Sequence, residues 1–344
     1  MTRDELVGRA HSFTAAVTEQ WTALCLAASA DTPMSTEVHQ FRVALRRLRS
    51  IARLLLGGVA KKLRTKSEVL LRETAEVTGE ARDEEVLAET LDDLKLPQTT
   101  RAPLRVWQTG RARRLRGTTA RAVETLRSQF GQRVRRTLAV VDAAIDGLGE
   151  DFASPTSLGI LLRDRIETLR SRWTHALETG DSEAFHRARI SAKKLRYLCE
   201  WLTDDATLPL HSLSNACAKI QKILGRVHDL DEAALRMDRA RGLSADHRGI
   251  VLAEIARQSM KVTKKAREDV TRVVGTLEDL CMHALAGYAA STGAIEERRD
   301  PLPDPDAERS SSPLVTEPDH VEEQGRDDAG ARTADGMAQR DGSS

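Results

Sequence analysis

The chain has 344 residues, 40% of them hydrophobic, enough to build the core of one large domain or two ordinary ones. Aromatics make up only 3% while Ala, Leu, Arg and Glu dominate, which fits an all-α bundle and excludes a β-sandwich. The formal net charge of +1 hides a division: residues 294–344 hold 14 acidic and 6 basic residues, against 38 and 47 in residues 1–293. A basic body therefore carries an acidic tail.

Residues 4–29 read as an amphipathic helix with Leu6, Phe13, Val17, Trp21, Leu24 and Leu26 turned inward. Arg9 and Glu19 interrupt any apolar run that could serve a signal peptide, and no stretch approaches the ~20 apolar residues of a membrane span. A cytoplasmic, membrane-free protein is expected. Asp31-Thr32-Pro33 ends the first helix, and a second begins near Ser35, a suitable N-cap. At about 100° per residue, His39, Arg42, Arg46, Arg49 and Arg53 share one stripe roughly 80° wide. Phe41, Ala44, Leu45, Leu48, Ala52 and Leu55 take the other side.

From Val38 to Ser67 there are nine Lys and Arg and no Asp or Glu. An ordinary solvated face mixes signs, because Glu–Lys pairs four apart stabilise it. Unpaired cations on one face repel each other unless an anion neutralises them, so this stripe calls for an anion. Gly57-Gly58 stops the helix, and a third is expected to run unbroken from Lys61 to about Leu94. Pro97 and Pro103 mark a connection, the run Arg105 to Leu126 is again basic, and a helix over 129–148 completes the first half.

Gly147, Gly149 and Pro155 divide the halves, after which helices are expected near 157–179, 182–203, 210–240 and 245–290. The second half restates the first. At a constant offset of 147 residues, His39 falls on His186, Arg42 on Arg189, Arg46 on Lys193, Arg47 on Lys194, Leu48 on Leu195 and Arg49 on Arg196. Ser35 and Ser182 keep the same offset, so an internal duplication is expected. A second pair follows: Gly79, Arg82, Asp83 and Glu85 match Gly225, His228, Asp229 and Asp231 in the pattern G-x-x-[RH]-D-x-[DE]. A mid-helix glycine costs about 1 kcal/mol against alanine, so it is expected to allow a close helix crossing. Asp83 and Asp229 read as clamps for Arg42 and Arg189, or as ligands for a magnesium–phosphate complex.

Taken together, the duplicated H-x-x-R-x-x-x-R-R-x-R and G-x-x-R-D-x-[DE] motifs resemble those of the CHAD family (conserved histidine α-helical domain). The resemblance covers roughly Leu6 to Ala290. It departs from the family pattern at Glu85, where aspartate is usual, and no attached triphosphatase-type domain is expected. The resemblance implies two pseudo-symmetric antiparallel four-helix bundles around a basic cavity that binds inorganic polyphosphate. The repeats would span 1–149 and 155–290 of a domain over 1–290, followed by a disordered acidic tail over 291–344.

The binding residues implied are His39, Arg42, Arg46, Arg47, Arg49, Arg53 and Arg82 in the first half. In the second they are His186, Arg189, Lys193, Lys194, Arg196, Tyr197, Lys219, Lys222 and His228, with Asp83 and Asp229 in support. Arg forks grip phosphate bidentately and Lys adds a mobile point charge. His39 and His186 either donate to phosphate when protonated or serve as structural hydrogen-bonders. Tyr197 fits the stripe or the core, and Arg47 and Lys194 lie about 80° off their histidines, toward another wall or solvent.

Cys25, Cys199, Cys217 and Cys281 lack metal-finger spacing and read as buried free thiols, so neither a metal nor another cofactor is expected. The resulting expectation is a non-enzymatic polyphosphate binder, located at polyphosphate granules with granule-associated proteins as further partners. A general polyanion or nucleic-acid binder is the alternative, disfavoured by scarce aromatics and the lack of a DNA-binding signature. A metal-dependent polyphosphate hydrolase ranks third, because the cationic stripes are nearly free of carboxylates.

Overall fold

A computed structural model describes residues 2–29, 35–203 and 209–296. Among these residues the chain is helical with no strand. The helices are α1 (Arg3–Ser29), α2 (Ser35–Leu55), α3 (Lys61–Val77), α4 (Gly79–Asp92), α5 (Gln98–Thr125) and α6 (Gly131–Asp146). The second half supplies α7 (Pro155–Thr179), α8 (Ser182–Leu202), α9 (Pro209–Asp238) and α10 (Ala245–Glu296). The bounds of α8 repeat those of α2, and the start of α10 repeats that of α5, at the offset of the sequence motifs.

Periodicity explains most of these elements. On α2 the apolar positions Phe41, Ala44, Leu45, Leu48, Ile51, Ala52 and Leu55 are all buried, leaving the arginines on the opposite side. On α1, Leu6, Val17 and Leu24 are buried, but Leu26, expected inside, is 67% exposed. It lies about 160° around the helix from Leu24, so burial of one excludes burial of the other. The Ser154 side chain accepts from the Ser157 amide at 3.2 Å to cap α7, whose far end stops at Gly180 in the left-handed region (φ 66°).

Two expectations about continuity fail. The helix from Lys61 to Leu94 is broken at Thr78, between α3 and α4. There the Ala75 carbonyl, which would accept the Gly79 amide in an unbroken helix, is taken by Arg42 Nη1 at 2.5 Å. The equivalent region of α9 runs unbroken through Gly225. Pro103 does not interrupt the chain; only Pro97 does, at the N-cap of α5. Lying in the second turn, Pro103 removes a single ladder bond, and α5 continues through a π-helical turn (Leu126–Phe130) directly into α6.

Helices α1, α2, α3 and α6 pack around one another, and so do α7, α8, α9 and α10. The two bundles share their interior. One hydrophobic core runs through both, α2 crosses α8, and Trp201 on α8 donates to the Leu6 carbonyl on α1 at 3.2 Å. The α4–α5 hairpin leaves the first ring and packs on α9 and α10, burying Leu87, Leu91 and Trp107 against Leu230, Met237 and Ile255. Helix α10 continues to Glu296, six residues past the expected end of the domain; the remainder of the expected tail lies outside the described residues. No described helix is long and apolar enough to cross a membrane.

Candidate functional site

Where α2, α4, α8 and α9 meet, a cavity of about 530 Å³ opens. Its lining contains seven cations, Arg42, Arg46, Arg49, Arg82, Arg189, Lys193 and Arg236, against three carboxylates, Asp83, Asp229 and Glu232. His39 and His228 also face it. The two sequence stripes thus converge, because α2 and α8 bury their apolar faces in the shared core and turn their polar faces to the same space.

The cations are not equivalent. Arg82 is engaged with Glu85 at 3.1 Å and Glu89 at 3.5 Å, and Arg236 with Glu84 at 2.7 Å and Asp83 at 3.3 Å. Arg42 is held by the Ala75 carbonyl and, at 3.3 Å, the Thr78 hydroxyl, at the carbonyl-rich end of α3. Arg46, Arg49, Arg189 and Lys193 have no ion-pair or side-chain hydrogen-bond partner among the described residues. Arg42 and Arg189, equivalent in the two halves, each bury Nε without an acceptor among those residues.

This crowding has an electrostatic signature. Burial, then the charges of Arg46, Arg189, Arg49 and Arg42, pull Lys193 down from 10.5 to about 7. Burial followed by Arg46 lowers Arg42, while burial lowers Arg189 despite the nearby Asp229. His39 is lowered by burial and by Arg82 and Arg46; His228 is lowered by burial and by Arg189. Both shifts favour the neutral imidazole. Burial raises Asp229 even though Arg189, Arg226 and Arg82 oppose it.

Several predicted residues fall elsewhere. His186 stands behind the lining, its ring tilted by 48° against that of His228 at 4.6 Å between centroids. Arg47 turns to Glu200 at 3.4 Å, and Arg196 is bound by the same Glu200 at 2.7 Å and by Gln221. Tyr197 is buried in the core beneath the Arg196 guanidinium. Arg53, Lys194, Lys219 and Lys222 are exposed and outside the cavity lining. Asp83 and Asp229 do not clamp Arg42 and Arg189: Asp83 pairs with Arg236, and Asp229 has no ion pair with Arg189.

Neither motif glycine lies against the backbone of a crossing helix, as the expected close approach would require. A Cβ on Gly79 would sit 3.9 Å from Arg42 Nη1, and one on Gly225 would sit 3.6 Å from Arg189 Nε. Each glycine leaves bare backbone beneath an equivalent guanidinium. Sequence reasoning missed Glu84, Glu232 and Arg236. The last two lie three and seven residues beyond Asp229 on one face of α9, so helical spacing could have found them. Glu84 ties three helices together, accepting from Arg236 and, at 2.8 Å, from Arg111 Nε. Burial favours its neutral form, but the bonds from Arg111 and Arg236 hold its carboxyl below the usual range.

A family model of the CHAD domain matches residues 14–238, about two thirds of the chain. The chain belongs to the CHAD-domain family. The match spans both cationic stripes and both G-x-x-[RH]-D motifs. The crystal structure of the CHAD domain from the plant Ricinus communis superposes with a TM-score of 0.53 at 20% identity, over 84% of this chain and 92% of that one. That likeness establishes the helical fold. An uncharacterized Mycobacterium tuberculosis protein, Rv2226, is 32% identical over 206 residues, which is 56% of this chain and 38% of that protein. The chain thus matches well under half the length of that relative. In this CHAD domain no group of three ligating side chains that can hold a metal occurs among the described residues.

Proposed function

We propose that this CHAD domain binds inorganic polyphosphate in the cavity between α2, α4, α8 and α9, without catalysing its cleavage. The observation that carries the reading is the convergence of Arg46, Arg49, Arg189 and Lys193, unpartnered among the described residues, on one concavity. Keeping so many cations together costs free energy in the empty protein, and a linear polyanion offsets that cost along its whole length. Arg46 and Arg49 supply forks for phosphate oxygens, Lys193 a point charge, and His39 and His228 become donors once bound phosphate restores their protons. Arg82 and Arg236 shape the wall, being already engaged with carboxylates. The same chemistry suits a cytoplasmic protein recruited to polyphosphate granules, with granule-associated proteins as further partners.

A nucleic-acid duplex presents its phosphates on a convex cylinder with a major groove about 12 Å wide, a poor fit to a concavity of this size. The decisive experiment is a titration with long-chain polyphosphate at two salt concentrations, with duplex DNA as competitor. Salt-sensitive binding that DNA displaces poorly, lost in Arg46→Glu/Arg49→Glu with helical content unchanged, is the expected result. Arg42 is left intact in that variant because it holds the end of α3. Binding that survives the reversal, or equal displacement by DNA, refutes the assignment.

A further inference from the structure

The basic run of α5 contributes nothing to the cavity lining. Between Asp93 and Glu124 the chain carries no acidic residue, and α5 itself holds seven arginines, no lysine and a single carboxylate, Glu124. Arg105, Thr109, Arg113, Gly117 and Arg121 follow one another four residues apart and all are exposed, so they form one ridge along the helix. A rise of 1.5 Å per residue sets the three arginines about 12 Å apart, over about 24 Å in all. The opposite side of α5 buries Leu104, Trp107 and Val123 and sends Arg111 to Glu84. Arg113 lies about 200° around the helix from Arg111, so the ridge is turned away from the α4 wall of the cavity.

Among the described residues no carboxylate pairs with Arg105, Arg113, Arg114 or Arg121, and Glu124 is engaged with Arg127 at 2.9 Å. Arg114 and Arg121 fold back over Gly110 and Gly117, where an added Cβ would sit 3.8 and 4.0 Å from their Nη1 atoms. Arg121 also donates to the Thr118 hydroxyl at 3.3 Å. The ridge is thus low and cationic, and Val106 is the large apolar side chain exposed on this helix. A helix that lies in a membrane surface presents Trp, Phe or Leu, and a protein interface is anchored by buried aromatic and apolar groups. Neither feature is present on the ridge. Arginine forks instead suit phosphate oxygens, and their spacing matches the width of about 12 Å of the major groove of a duplex, which phosphates flank on both sides.

We infer that the α5 ridge is a second, separate binding site, whose ligand is double-stranded nucleic acid held by its phosphates without preference for base sequence. Successive arginines meet the phosphates on the two edges of the groove, and the short residues Thr109 and Gly117 between them let the helix lie close to it. Phosphate contacts fix position and carry no sequence information. This site goes beyond the polyphosphate reading of the cavity and stands without it.

The test follows two labelled duplexes of unrelated sequence, each about two helical turns long, by fluorescence anisotropy with the full chain at several salt concentrations. Arg105→Gln/Arg113→Gln/Arg121→Gln is compared with Arg46→Gln/Arg49→Gln/Lys193→Gln, which removes the same charge from the cavity, and melting curves are recorded for both. The ridge variant is expected to bind both duplexes at least about tenfold more weakly, with a log–log salt slope shallower by about three, roughly one per phosphate contact. The cavity variant is expected to stay within about threefold of wild type. Arg113→Gln alone, whose side chain makes no hydrogen bond among the described residues, should reduce the slope by about one and keeps the test valid if the triple variant melts early. Equal losses in the ridge and cavity variants overturn the site, because the attraction then belongs to net charge alone. Absence of duplex binding by the wild type overturns it as well. So does displacement of the duplex by phosphatidylserine vesicles or polyglutamate at matched charge, which would make a membrane or an acidic protein the occupant.

Discussion

Replacing Lys193 by methionine removes the most crowded cation in the cavity while keeping a flexible chain of similar length. The protonated lysine sits among Arg42, Arg46, Arg49 and Arg189, with its pKa drawn from 10.5 to about 7. At 1.36 kcal/mol per pKa unit, that displacement corresponds to roughly 5 kcal/mol against the charged form; residual exposure and salt reduce it to about 2 kcal/mol. The folded pKa lies below the unfolded one, so the unfolded chain binds more protons between about pH 7 and 10.5, and wild-type stability rises across that window. Below pH 7 the penalty is complete. Lys193→Met is therefore expected to exceed wild type by about 2 kcal/mol at pH 6 in urea denaturation, with the gap closing toward pH 10. Saturating polyphosphate should also close it, because the bound anion removes the repulsion and only the wild type retains the contact. A variant no more stable than wild type at pH 6, with the same pH slope, would refute the view that the cavity stores unpaired charge.

Glu84→Gln strips the shared carboxylate from Arg111 and Arg236 and is expected to cost about 2–3 kcal/mol, read by denaturant midpoint. Since the folded pKa of Glu84 is depressed, its contribution is present above its unfolded value near 4.5 and is lost as pH falls through the folded value. The variant and wild type should thus converge in acid, and a gap independent of pH would contradict the ion-pair role. Gly225→Ala places a Cβ at ordinary contact distance from Arg189 in the middle of α9. It should stabilise the fold by up to about 1 kcal/mol and leave polyphosphate affinity within about twofold. A fall in melting temperature would mean that the guanidinium needs bare backbone beneath it.

Much of the site was legible because a helix fixes angular position from spacing alone. Arg42, Arg46 and Arg49, and their counterparts Arg189 and Lys193, share a stripe in sequence and line one cavity in space. The interrupted third helix was not legible. Its break depends on Arg42 taking the Ala75 carbonyl from a position 33 residues earlier, a competition that local propensity does not record. Thr78 and Gly79 weaken the helix there, yet Gly225 is carried unbroken in α9.

The amino-acid sequence by itself determined the all-helical class, the repeated amphipathic faces and the concentration of positive charge on two of them, since each depends on composition and a period of 3.6 residues. Only the tertiary structure decided which cations stay free. Arg47 and Arg196 are spent on Glu200, Arg82 on its own helix, and Arg236 reaches the wall by pairing with Glu84 across 152 residues of chain. Charge pairing operates over a few ångströms between groups that folding brings together. An identical arginine stripe is therefore an ordinary ion-paired surface or an anion site according to which carboxylates the neighbouring helices deliver to it.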